Sequence, residues 1–142
     1  MRHPQVVVYE SDSWLAAQLE QLAAESGWLL RESRRPEACL NLVRQNRPCV
    51  LLLKLERQLV AELTLLGEVR DTAPDCPVVV VSDVKLDGAG QRLNLVGLAY
   101  DLGARYVLFP PLERTVLEDL TAGLMAVAAR RTAPWVGDNT HA

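Results

Sequence analysis

Glu10 and Asp12 flank Ser11, and Ser13 follows, directly after the apolar run Gln5 to Tyr9. Two carboxylates at the end of a strand can hold a divalent cation through oxygen. Hydroxyls beside the first amides of a helix can instead hold a phosphate, as in a nucleotide or flavin site. Lys54 is the second candidate and closes the run Pro48-Cys-Val-Leu-Leu-Leu-Lys54. An amine there becomes a Schiff-base nucleophile if an apolar pocket lowers its pKa. Close to Glu10 and Asp12 it stays charged, and an internal ion pair with one of them is expected. Ser82 supplies a hydroxyl after the run Pro77 to Val81, and Asp83 a further carboxylate. Gly88-Ala-Gly90 lacks the third glycine and the position after the first strand that a dinucleotide fingerprint requires, so it reads as a flexible loop.

These side chains need elements to position them. Gln5 to Tyr9 is β-branched and short, a first strand. Asp12 or Ser13 can cap the helix that follows, whose apolar stripe is Leu15, Leu19, Leu22 and Ala23 and whose end is Gly27. Trp28 to Glu32 is a second strand. Pro36 fits the first turn of a second helix carrying Cys39, Leu40 and Val43. The continuous apolar run from Val50 to Leu53 reads as a strand buried on both faces, the centre of a parallel sheet. Leu59, Leu63 and Leu66 mark a third helix, Pro77 to Ser82 a fourth strand, and about Gln91 to Leu102 a fourth helix. Arg105 to Phe109 is a fifth strand cut by Pro110 and Pro111. Glu113 to about Arg130 is a last helix with the stripe Val116, Leu117, Leu120, Leu124 and Val127. Alternating strands and helices with right-handed crossovers give a doubly wound α/β domain, a five-stranded parallel sheet with helices on both faces. It is expected over residues 1–130, with a flexible tail over 131–142.

Bulk properties narrow the function. The 142 residues are 49% hydrophobic and 23% charged, with a net charge of −3, which opposes nucleic-acid binding through a basic surface. No run approaches the roughly 18 apolar residues that cross a bilayer. The three cysteines, Cys39, Cys49 and Cys76, lie in apolar surroundings with no zinc spacing, as in a reduced cytoplasmic protein. The fourth helix is the oddity, with Leu93, Leu95, Val96, Leu98, Ala99, Tyr100 and Leu102 spread beyond one face. Such an excess of apolar surface marks either a deeper core or a contact patch.

Over residues 4 to 130 these segments resemble the response-regulator receiver family. That resemblance implies a flavodoxin-like fold with strand order 2-1-3-4-5, in which ligands gather outside the carboxyl ends of the strands. Tyr9-Glu10-Ser11-Asp12-Ser13-Trp14-Leu15 is similar to the family's first strand and acidic cluster. Pro48 to Leu55 is similar to its central strand, with Lys54 standing at the phosphoacceptor aspartate. Pro77 to Ser82 and Gly103 to Pro111 resemble its fourth and fifth strands, with a loop at Lys85 to Gly90 longer than usual. The resemblance implies an acidic metal cluster, a phosphoacceptor, a hydroxyl and a lysine. Glu10, Asp12 and Ser82 keep their types, Ser11 interrupts the cluster, Lys54 replaces the acceptor, and the family's lysine falls on Pro110 or Phe109. An ammonium about 4 Å from Mg²⁺ opposes each of its charges by roughly 4 kcal/mol at an effective dielectric near 20.

The expectation is therefore a stand-alone degenerate receiver: not an enzyme, without cofactor or metal, acting by protein–protein interaction. The resemblance implies a partner or homodimer face on the fourth helix, fifth strand and fifth helix, with Leu95, Leu98, Tyr100 and Tyr106 as contacts. The alternative is a phosphoacceptor or small-ligand protein that uses Glu10, Asp12 or Asp83.

Overall fold

The computed structural model describes residues 2–84 and 88–132. Its centre is a strand, Cys49–Leu55, that is buried along its whole length. In chain order the elements are β1 (Gln5–Tyr9), α1 (Trp14–Ser26), β2 (Leu29–Ser33), α2 (Pro36–Val43), β3 (Cys49–Leu55), α3 (Leu59–Thr72), β4 (Val78–Ser82), α4 (Ala89–Asp101), β5 (Tyr106–Leu108) and α5 (Arg114–Thr132). The sheet order is β2-β1-β3-β4-β5, and every pairing is parallel. Expected and observed elements therefore agree in number, type and order. The fifth helix runs to Thr132, past the expected boundary at residue 130, and the remaining tail lies outside the described residues.

Alternation along the strands divides the core in two. Val6, Val8, Val50, Leu52, Val79 and Val81 face Leu15 and Leu19 of α1 and Leu117 and Leu124 of α5. Val7, Leu51, Leu53, Leu55 and Val80 face Cys39 and Leu40 of α2, Leu65 and Leu66 of α3, and Leu95 of α4. Gly27 ends α1 at a φ of 72°, the left-handed conformation a Cβ disfavours. Gly103 has a φ of 113°, and a Cβ there would meet the Arg70 side chain at 3.0 Å.

Three expectations about helix faces change. In α3 the buried positions are Glu62, Leu65, Leu66, Gly67 and Val69, while the expected Leu59 and Leu63 are half-buried and pack against the same cluster, so the inward face is wider than the expected stripe and takes in an acid. In α5 Val116 is exposed, and Thr121, Met125 and Ala128 are buried beside Leu117 and Leu124. In α4 Leu95 and Ala99 point into the core while Leu93, Leu98 and Tyr100 are exposed. The apolar excess of that helix is thus surface and not a deeper core. Leu95, at 7% exposure, is packed among core residues and drops out of the expected contact set.

Candidate functional site

Right-handed crossovers bring the loops after β1, β2, β3 and β4 to the carboxyl edge of the sheet, where ligands gather in open α/β folds. They border a cleft of about 830 Å³ lined by Glu10, Asp12, Arg34, Glu56, Arg57 and Asp83, among others. Beneath it lies Lys54. On β3, Lys54 shares the α1–α5 face with Val50 and Leu52, and Glu10 follows Val8 on the same face of β1. Lys54 is only 6% exposed.

Its ammonium is ringed by carboxylates. Lys54 Nζ is 3.3 Å from Asp12 Oδ1, 3.8 Å from Glu10 Oε1 and 4.0 Å from Asp83 Oδ2. The Asp12 and Asp83 side chains are 60% and 57% exposed, whereas Glu10 as a residue is 2% exposed. Glu10 has a second set of partners: its Oε1 accepts the Leu15 N–H and its Oε2 the Ala16 N–H, each at 3.0 Å. Those are orphan donors of the first turn of α1, and the positive end of the helix favours an anion there. Ser13, an expected cap, makes no side-chain capping bond, and Asp12 accepts the Trp14 N–H at 3.1 Å. Glu10 takes the capping role because it leaves β1 pointing at the helix start.

These partners set the protonation balance. Burial is the largest influence on Glu10 and raises its pKa to about 6; the Leu15 and Ala16 N–H groups pull it down, and Asp12 adds to the rise. Asp12 is held below the usual carboxylate range, first by the Trp14 N–H and, among lesser causes, by Lys54.

The loops are tied together by carboxylates that sequence reasoning did not single out. Glu56 accepts the Ser11 N–H at 2.9 Å and the Ser11 hydroxyl, joining the β3–α3 loop to the β1–α1 loop. Glu62, buried on α3, accepts the Glu56 N–H at 2.9 Å. Burial raises its pKa. The available signal for Glu62 was positional: it lies three and four residues before Leu65 and Leu66, on one helical face, where an acid needs a bonded reason to be buried.

The other expected residues are not all gathered. Ser82 pairs with Leu55, one step beyond Lys54, and alternation places it on the α2–α3–α4 face. Its hydroxyl is buried and finds no hydrogen-bond partner among the described residues. Pro110 is exposed and absent from the cleft lining. The expected long loop falls partly on residues 85–87, which lie outside the described residues. A phosphate loop at Ser11 and Ser13 does not fit: the Ser11 hydroxyl bonds Glu56, the Ser13 hydroxyl bonds Glu32 at 2.7 Å, and Glu10 fills the α1 amides. An apolar lysine pocket for Schiff-base chemistry is likewise replaced by an acidic one. Nor do these residues fit a resident Mg²⁺. A cation is already within 4.0 Å of all three carboxylates, and no metal-holding group of three His, Cys, Asp or Glu is found among the described residues.

Sheet order and helix placement define the flavodoxin-like receiver fold. Solved structures agree: a response regulator from Thermotoga maritima matches with a TM-score of 0.69 at 17% identity, covering 88% of this chain and 99% of that one. A CheY-like receiver domain protein from Methanospirillum hungatei matches at 0.68 and 12% identity, over 89% and 97% of the two chains. An orphan response regulator of H. pylori matches at 0.66 and 15% identity, over 85% and 95%. No protein-family model and no curated protein matches the sequence. No helix among the described residues is long and apolar enough to cross a membrane.

Proposed function

We propose that this chain is a receiver-fold interaction module whose pocket is held in one state by its own lysine, without phosphorylation. The observation that carries this reading is the Lys54 ammonium, lodged between Glu10, Asp12 and Asp83. In the receiver family, which the sequence resembles, the corresponding position is an aspartate that accepts phosphate. Here the nucleophile is missing, and a fixed monovalent cation supplies part of the charge compensation that a metal would give. The Ser11–Glu56–Glu62 chain of hydrogen bonds fixes the surrounding loops to one another. Reading the cleft as a phosphoacceptor or ligand site would require Glu10, Asp12 or Asp83 to leave Lys54, and Glu10 also to leave two helix amides.

Signal then passes by contact with another protein chain, a reading to which a cytoplasmic location belongs. The α4–β5–α5 side carries exposed Leu98, Tyr100 and Tyr106, with Leu93 and Val116 beside them in the same elements. An interface of ordinary size buries roughly 800 Å² per partner. The test has two arms. Incubation with a small phosphodonor and Mg²⁺ is expected to leave the intact mass unchanged. Sedimentation is expected to show association, or a captured partner, that the double variant Leu98→Ser, Tyr106→Ser loses. A gain of one phosphoryl group sinks the first half of the proposal. A parent that stays monomeric at high concentration and retains no partner sinks the second.

A further inference from the structure

At the opposite end of β3, away from Lys54, three thiols converge. Cys39 of α2, Cys49 at the start of β3 and Cys76 just before β4 are free, buried and part of one apolar cluster. The β3–β4 ladder sets Leu51 opposite Val78, and the Leu51 N–H donates to Pro77 O at 3.0 Å. The ladder begins at that pair; just before it Cys76 sits in the turn that leads into β4, its N–H donating to Ala73 O at 3.0 Å and its thiol within hydrogen-bond reach of Cys49. Neighbouring strands run about 4.8 Å apart, inside the roughly 4.4–6.8 Å between Cα atoms that a disulfide bridges. On its other side Cys49 pairs with Gln5 of β1, whose Nε2 donates to Cys49 Sγ at 3.6 Å.

A hydrogen bond to Cys49, then burial, pushes the Cys76 thiol well up, and burial pushes the Cys39 thiol up to about 12. Cys49 Sγ accepts from Gln5 Nε2 and is in contact with Cys76, whose S–H also reaches Pro77 O at 3.8 Å. A cavity of about 200 Å³ opens on this pair: Cys49 and Cys76 line it, together with the guanidinium-bearing Arg44 and Arg47, whereas Cys39 does not. A cavity of that size has ample room for a small molecule such as hydrogen peroxide.

We propose that Cys49 and Cys76 form a reversible redox pair, oxidised by hydrogen peroxide to one disulfide between β3 and the start of β4 while Cys39 stays reduced. The Cys49 sulfur, having given up its proton, attacks one peroxide oxygen. A sulfur–oxygen bond forms, the oxygen–oxygen bond breaks, and the departing hydroxide takes up a proton and leaves as water. The Cys76 sulfur then attacks Cys49 Sγ. The sulfur–oxygen bond breaks, the second hydroxide takes the Cys76 proton as water, and the disulfide forms. Two thiols lose two electrons and two protons, and one peroxide becomes two waters. A dithiol reductant attacks one sulfur of the bridge by thiol–disulfide exchange and carries the oxidation away. The pair therefore returns to dithiol when a reductant is restored.

The test uses the whole folded chain, treated with hydrogen peroxide, quenched, denatured and mapped. Titratable thiols should fall from three to one, with the mass of two hydrogens lost and a cross-linked peptide joining Cys49 to Cys76; a dithiol reductant should reverse all three changes. In Cys76→Ser, Cys49 should instead carry one added oxygen that a sulfenic-acid trapping reagent captures. The proposal is overturned by three retained thiols, by irreversible oxygen addition without a bridge, or by a bridge that contains Cys39 in either protein.

Discussion

The two ends of β3 are equally buried and chemically opposite. At the carboxyl end Lys54 meets three carboxylates; at the amino end Cys49 meets an amide and a thiol. Helix polarity accounts for much of the difference. In a right-handed parallel fold the helices begin at the carboxyl edge, and their positive ends favour acids such as Glu10. Once several acids gather there, a buried cation is needed to balance them. The amino edge receives helix ends, and the charged groups beside Cys49 include Arg44, which follows the last residue of α2, and Arg47. One strand thus meets two different surroundings at its ends, a cluster of acids around a cation and a group of thiols in apolar packing.

The largest expected effect comes from reversing the charge at one end. Lys54→Asp adds a fourth carboxylate to Glu10, Asp12 and Asp83 and removes their cation. It should cost about 3–5 kcal/mol in chelator, as breaking a buried pair does, and recover much of that loss with Mg²⁺. Thermal melts with and without the metal measure both numbers. Equal stability of this variant and the parent in chelator would contradict the ion-pair account.

Lys54→Met gives a smaller effect and separates charge from packing. Asp12 and Asp83 can turn to water, but Glu10 at 2% exposure cannot. The variant should therefore lose about 1–3 kcal/mol at neutral pH, the cost of leaving the buried Glu10 carboxylate with its two helix amides but no cation, and less where Glu10 is protonated. Denaturant midpoints at pH 7 and pH 5 are the check, and a loss that grows on acidification would count against Glu10 as the stranded group.

Smaller still is the pH dependence of the parent. The Glu10 pKa is raised from 4.5 to about 6, so the folded state holds that proton more tightly than the unfolded chain. Its contribution is fully present below about pH 4.5 and disappears as pH rises through about 6, at most about 2 kcal/mol. Asp12, lowered, acts with the opposite sign: its contribution is present above its ordinary range and is lost as pH falls. Comparing melts of the parent and Glu10→Gln between pH 4.5 and 6.5 isolates the Glu10 part. The difference between the two proteins should change across that window, and a constant difference would show that Glu10 does not titrate there.

How much of this the sequence carried differs between the two ends. The apolar run of β3 and the lysine that ends it were legible, because a charge after buried residues breaks a simple pattern. So was the link to Glu10 and Asp12, because adjacent parallel strands bring their ends together. The Ser11–Glu56–Glu62 tie was not legible: it depends on loop paths and on which face of α3 turns inward. Glu62 interrupts an otherwise leucine-rich helix, and spacing pointed to Leu59, Leu63 and Leu66 as the inward residues without showing that an acid shares their face. Ser82 was grouped with Lys54 by chain position, yet the two-residue alternation of β4 places it on the opposite face. At the amino end the thiols read as scattered small apolar residues, since their convergence depends on the β3–β4 register.

The central claim is that Lys54 stands where a metal and a phosphoryl group would otherwise act. Its most direct measurement is an NMR titration of the parent with Mg²⁺ and beryllofluoride, a phosphoryl mimic, following the amides of Ser11, Asp12, Lys54 and Asp83. The account predicts resonances that stay in place up to millimolar Mg²⁺. Saturable shifts at those four amides, strengthened by the mimic, would contradict it.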